Sequence, residues 1–109
     1  MITKEDAVAI SGEIIRQFGG NRFKLMTGAK NFGYSILDNG DVNLTFKIGK
    51  NAMKVSHVSV TLNANDTYHL EFLRVNIKTG RNVLKEFKHV YCDQLEELFQ
   101  ENAGLYTRL

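Results

Sequence analysis

Residues 42–48 read Val42-Asn43-Leu44-Thr45-Phe46-Lys47-Ile48, an apolar residue at every second place with amide, hydroxyl or ammonium groups between. A period of two belongs to a strand, whose successive side chains leave opposite faces. The pattern recurs twice downstream. Val58, Val60 and Leu62 alternate with His57, Ser59 and Thr61, and Tyr68, Leu70 and Phe72 alternate with His69 and Glu71. One buried face and one polar face describe an antiparallel sheet. Strands are expected near 22–27, 31–37, 41–49, 55–62, 67–77 and 82–91, about six in all.

Burial fixes the register, because a slip of one residue turns every apolar side chain to water. A two-residue turn at Asn39-Gly40 would put Ile36 on the face of Asn43. A three-residue turn, Asp38-Asn39-Gly40, instead pairs Ile36 with Val42, Tyr34 with Leu44 and Phe32 with Phe46. A five-residue turn, Asn63 to Thr67, pairs Leu62 with Tyr68, Val60 with Leu70 and Val58 with Phe72. A four-residue loop, Lys78-Thr79-Gly80-Arg81, pairs Phe72 with Phe87 and Glu71 with Lys88. Consecutive hairpins make a meander.

The period changes outside this middle. Thr3 and Asp6 have the spacing of a capping box, and Ala7, Ile10, Ile14 and Phe18 follow at helical intervals until Gly19-Gly20. At the other end Asp93 and Glu96 open a second helix, Leu95, Leu98 and Phe99 form its stripe, and Gly104 stops it. The expected fold is α+β, one domain over 1–109, an antiparallel meander flanked by an N-terminal and a C-terminal helix. With 109 residues, 43% of them apolar and 24% charged, the chain has the composition of a globular domain, not of a disordered tail. No apolar run approaches the roughly 18 residues of a membrane span, and the opening residues lack a secretion signal's layout. A single cysteine, Cys92, forms no internal disulfide and fits a reducing cytoplasm. In that compartment the sequons at Asn43 and Asn65 receive no glycan.

Net charge is +2, but its distribution is uneven. Residues 1–21 carry −1, residues 22–88 carry +6 and residues 89–109 carry −3. A basic middle steers anionic partners. Its cations fall into groups: Arg22 and Lys24 on one face of the first expected strand, Lys30 in a turn, and Lys47, Lys50 and Lys54 around the next connection. Such lysines gain affinity for a phosphate backbone by releasing counterions. The aromatics that stack bases in single-strand binders are placed instead at core positions such as Phe46, Phe72 and Phe87.

Other chemistries fare worse. Thr27-Gly28-Ala29-Lys30-Asn31 offers backbone N–H groups, a hydroxyl and a lysine for an anion, although plain turn chemistry also explains it. It is not a P-loop, and Gly49-Lys50 has Leu44 and Asn51 where that motif needs glycine and a hydroxyl. His57, His69, His89 and Cys92 form no zinc set: with His69 opposite Thr61, His57 stands about 13 Å away. Cys92 reads as a small buried thiol, and Glu96, Glu97 and Glu101 as the wet face of a helix. No nucleophile, base and oxyanion set assembles, so no catalytic residue, cofactor or metal is assigned. Leu73, Val75, Ile77 and Leu84 break the alternation. A bulge, a covering terminal helix or an exposed partner-binding patch accounts for them. Tyr106 in the C-terminal tail belongs with that candidate partner surface.

Met26-Thr27-Gly28-Ala29-Lys30-Asn31-Phe32 and Gly104-Leu105-Tyr106-Thr107-Arg108-Leu109 resemble small uncharacterised proteins encoded by phages and mobile elements of gut bacteria. The likeness takes in the alternating middle and Tyr91-Cys92-Asp93, and it implies an accessory protein acting on element DNA or host machinery. The expected function is therefore non-enzymatic nucleic-acid contact through Arg22, Lys24, Lys30, Lys47, Lys50 and Lys54, within a host cytoplasm and away from membranes. The alternative is a protein-binding inhibitor of a host or defence factor that uses the apolar patch or the tail.

Overall fold

Thr3 and Asp6 start the first helix as their spacing predicts. The Thr3 hydroxyl accepts from the Asp6 N–H, and the Asp6 carboxylate accepts from the Thr3 N–H, each at 3.1 Å. Two donors that lack helical partners are thereby satisfied, and α1 runs Lys4–Phe18 with Ala7, Ile14 and Phe18 buried. The computed structural model describes residues 3–105. Of the tail, Leu105 packs against the core, while Tyr106 and the residues after it lie outside the described residues.

The segment 22–27 is not a strand. Gly20–Thr27 form a second helix, α2. Arg22-Phe23-Lys24-Leu25 alternates in polarity, yet Leu25 is 85% exposed and the buried pair is Phe23 and Thr27, four residues apart. Arginine, lysine, leucine and methionine all favour the helix, and a single apolar anchor per turn suffices. Gly19 (φ 128°) and Gly20 (φ 64°) thus join two helices instead of ending helical structure.

Among the described residues five strands follow: β1 Lys30–Ile36, β2 Val42–Lys47, β3 His57–Leu62, β4 Tyr68–Asn76 and β5 Gly80–Val90. They form one antiparallel sheet in sequence order, an α+β meander with one strand fewer than the alternation suggests. A turn of 3-10 helix, Cys92–Gln94, leads into α3, Leu95–Ala103.

The first two expected registers hold where burial fixes them. Ile36 stands opposite Val42 and Tyr34 opposite Leu44. A bulge between Lys30 and Gly33, with Asn31 at φ 57°, takes Phe32 out of step with Phe46, although their rings remain 5.2 Å apart. Leu62, Val60 and Val58 stand opposite Tyr68, Leu70 and Phe72. The last hairpin differs. Asn76 faces Gly80 across Ile77-Lys78-Thr79, so Phe72 meets Lys85 instead of Phe87, and Glu71 meets Glu86 instead of Lys88. Gly80 at φ 74° permits the shorter loop, and β5 then takes up two register shifts, with His89 at φ 57°.

Among the described residues all three α-helices cover one face. Ile14 and Phe18 of α1, Phe23 of α2 and Leu95 and Phe99 of α3 share a core with Leu44, Phe46, Val58, Val60, Leu70 and Phe72. Phe18 is its hub, with ring centroids 5.1 Å from Phe23, 5.9 Å from Phe46 and 5.7 Å from Phe99. The opposite face is polar. The Asn43 amide donates to Ser59 Oγ at 2.8 Å and to Thr61 Oγ1 at 2.9 Å, while its carbonyl accepts from Thr45 at 3.0 Å.

The helix cover expected over Leu73, Val75, Ile77 and Leu84 is not found there. The helices are committed to the face of Leu70 and Phe72, and a register shift between Phe72 and Leu73 marks the change. Leu73 is itself buried, whereas Val75, Ile77 and Leu84 are exposed.

Candidate nucleic-acid interface

The connection from β2 to β3 is built on two close backbone approaches. Thr27 O accepts from Gly49 N–H at 2.8 Å, and a Cβ on Gly28 would lie 3.3 Å from Gly49 N. A Cβ on Gly49 would lie 3.1 Å from Thr27 O. Gly28 also sits at φ 70° as the cap of α2, a conformation that costs other residues about 1 kcal/mol or more. Gly28→Ala and Gly49→Ala each destabilise by about 1–2 kcal/mol, seen as a drop of roughly 5–10 °C in the melting midpoint.

Beyond Gly49 one side chain folds the loop around itself. Asn51 Nδ2 donates to Gly49 O at 2.9 Å and to Val55 O at 2.7 Å, and its Oδ1 accepts from Val55 N–H at 3.1 Å. The apolar residues Ile48 and Val55 point into the core, so the lysines between and beside them point out. The outcome is an open cleft of about 410 Å³ lined by Lys47, Lys50, Lys54 and Arg74 with Asn51 and Asn76. It contains no carboxylate, and among the described residues none of its four cations enters an ion pair. Lys30 adds a fifth cation beside it, opposite Lys47 in the sheet.

Ser56 lines the cleft and ties it to its neighbours in the sheet. The Ser56 hydroxyl accepts from Val75 N–H at 2.8 Å and stands 2.8 Å from His57 Nδ1. Burial pushes the His57 pKa below its ordinary 6.5, and the nearby charges of Lys47 and Arg81 push the same way. The ring is neutral in the fold and leaves the positive field to the lysines and arginines. Because the unfolded chain takes up this proton more readily, the contribution is present above pH 6.5 and is lost as pH falls below it. Urea stability should therefore decline from about pH 7 to pH 5, and His57→Gln should flatten that slope.

Of the six cations read from sequence, Lys30, Lys47, Lys50 and Lys54 come together. Arg22 and Lys24 do not share a face as expected: both ride on α2, and Lys24 Nζ lies over the Phe32 ring, 5.2 Å from its centroid. Arg74 is the residue sequence reading missed. Its signal was present, since pairing Val58 with Phe72 places residue 74 beside residue 56.

The other candidate centres resolve differently. In the Thr27–Asn31 turn, Gly28 N–H donates to Lys24 O at 3.1 Å and Ala29 N–H to Thr27 Oγ1 at 3.3 Å. Those donors finish a helix and are not available to an anion. Cys92 is exposed, not buried, because the 3-10 turn carries it outward. His69 faces Thr61 as expected. Among the described residues, only His69, Glu71 and Glu86 bring three metal-ligating atoms within 4.8 Å of one another. Both carboxylates already have cations nearby, Arg81 at 3.5 Å from Glu71 and Lys88 at 3.6 Å from Glu86. No described helix is long and apolar enough to cross a membrane. Comparison with family models, curated proteins and solved structures finds no match.

Proposed function

We propose that this chain is a non-enzymatic binding protein that holds nucleic acid by its phosphate backbone in the cleft of Lys47, Lys50, Lys54 and Arg74. The observation that carries the reading is the convergence of Arg74 with three lysines around a loop braced by Asn51, without a carboxylate in the lining or an ion pair among the described residues. The cleft has no aromatic lining, which favours backbone contact over base stacking and hence tolerance of sequence. The resemblance to phage and mobile-element proteins suits an accessory role on element DNA or RNA.

Fluorescence anisotropy with labelled mixed-sequence oligonucleotides tests it. For duplex DNA, four phosphate contacts give a slope of about −3.6 for log affinity against log salt. No binding at low salt, or affinity indifferent to salt, overturns the reading.

A second reading rests on the end of the β4–β5 hairpin, where Val75, Ile77, Val83 and Leu84 are exposed together. Such a tip suits a protein-binding inhibitor. Leu73, being buried, is not part of it. Loss of a stoichiometric protein partner on Ile77→Asp, with nucleic-acid affinity intact, would favour this reading.

A further inference from the structure

The register shifts of β5 change what the polar face of the sheet presents. Simple alternation would set Glu71 against Lys88, an ion pair, but the observed ladder sets Glu71 directly opposite Glu86. Like charges facing each other across an antiparallel pair repel. The shift between Tyr68 and Leu70 leaves both Lys88 and His89 facing His69. Bulges of this kind re-aim side chains and recur beside functional sites.

Three ligand atoms meet at this place. One ring nitrogen of His69 and one carboxylate oxygen each from Glu71 and Glu86 all lie within 4.8 Å of one another. His69 Nε2 is closed off from solvent and makes no hydrogen bond, although Glu86 Oε1 stands 3.1 Å away. A polar atom shut away without a partner is costly. The Glu71 side chain is only 18% exposed, so its charge also needs compensation. The neighbouring side-chain cations supply little. Arg81 is 3.5 Å from Glu71 and Lys88 is 3.6 Å from Glu86, well beyond the roughly 2.7–2.9 Å of a strong charge-assisted bond. Their side chains are 56% and 67% exposed, and exposed pairs of this kind contribute little and give way readily.

The donor set selects the ion. Imidazole nitrogen with carboxylate oxygen suits zinc, whereas calcium and magnesium favour oxygen alone. Ligands of a tetrahedral zinc at about 2.0–2.2 Å stand roughly 3.4 Å from one another. His69 Nε2 and Glu86 Oε1, at 3.1 Å, are close to that spacing. Glu71 reaches it by a movement of about an ångström, within the range of side-chain rotation. We propose that His69, Glu71 and Glu86 bind one Zn²⁺, with water as the fourth ligand. Two carboxylates balance the charge of the ion, Arg81 and Lys88 turn out to solvent, and the metal ties β4 to β5 beside the bulge. None of the three ligands lines the basic cleft, so the inference stands apart from the nucleic-acid reading and either can fail alone.

Isothermal titration with zinc chloride, and competition against a chromophoric zinc chelator, test it. One ion per chain is expected, with a dissociation constant of roughly 10 μM or tighter. Zinc at about a hundred times that constant should raise the melting midpoint by roughly 10 °C. His69→Ala, Glu71→Gln and Glu86→Gln each weaken binding tenfold or more, while His57→Gln and Cys92→Ser leave it unchanged. Of the three histidines, only His69 should show shifted ring-nitrogen resonances on zinc addition, a readout on the parent chain that stands even if a variant fails to fold. No binding at 100-fold excess over 10 μM, that is about 1 mM zinc, overturns the proposal. So does binding that survives both His69→Ala and Glu86→Gln, binding lost in Cys92→Ser, or a zinc-induced shift at His57 or His89 in place of His69.

Discussion

Phe18→Ala is expected to unfold in urea about 2 M earlier than the parent chain, if it folds at all. The ring is fully buried and touches Phe23, Phe46 and Phe99. It therefore joins α1 to α2, to the sheet and to α3 at one point. Removing a buried phenyl costs about 3–5 kcal/mol, the transfer energy of the lost atoms plus the cavity they leave. A chain of this size has only about 5–15 kcal/mol to lose. Relaxation is restricted here because three rings from three different elements border the hole. Phe18→Leu refills most of the volume and costs less, about 1–2 kcal/mol. Leu25→Ala is the control: on α2 and 85% exposed, it changes stability by less than about 0.5 kcal/mol. Equal losses at positions 18 and 25 would remove the ring cluster as the source of stability.

The second large effect falls on binding. Replacing Lys47, Lys50 and Lys54 together by glutamine should weaken nucleic-acid affinity about a hundredfold at low salt. The slope of log affinity against log salt for duplex DNA should flatten by about 2.7, from three lost phosphate contacts. All three side chains are exposed and outside any described ion pair, so the fold is retained and circular dichroism is unchanged. Arg22→Gln, on α2 and away from the cleft lining, should leave the affinity nearly as it was. An unchanged slope in the triple variant would place the contact elsewhere on the molecule.

What sequence revealed follows from where physics leaves one option. Even-numbered aliphatics from Val42 to Phe72 can be buried together in only one register, and the structure adopts it in the β2–β3 and β3–β4 pairs. Helix ends were legible because Thr3, Asp6 and Gly104 act through neighbours a few residues away. Residues 22–27 misled because charge alternation imitates a strand when only Phe23 and Thr27 need cover. The final hairpin escaped because a bulge adds a residue without altering composition. The lysines at 47, 50 and 54 could be grouped because they share one short connection. Arg74 comes from a strand far along the chain, and only the register brings it near. The lowered pKa of His57 could not be read because it comes first from burial and then from Lys47 and Arg81, which only the fold brings near.

The kinked β5 has one more implication. A strand laid alongside β5 would meet two breaks in register and the exposed Arg81, Lys85 and Lys88, so this margin of the sheet rejects it. A molecule with both margins unguarded would polymerise into ribbons, and the kinks of β5 close that route from one side.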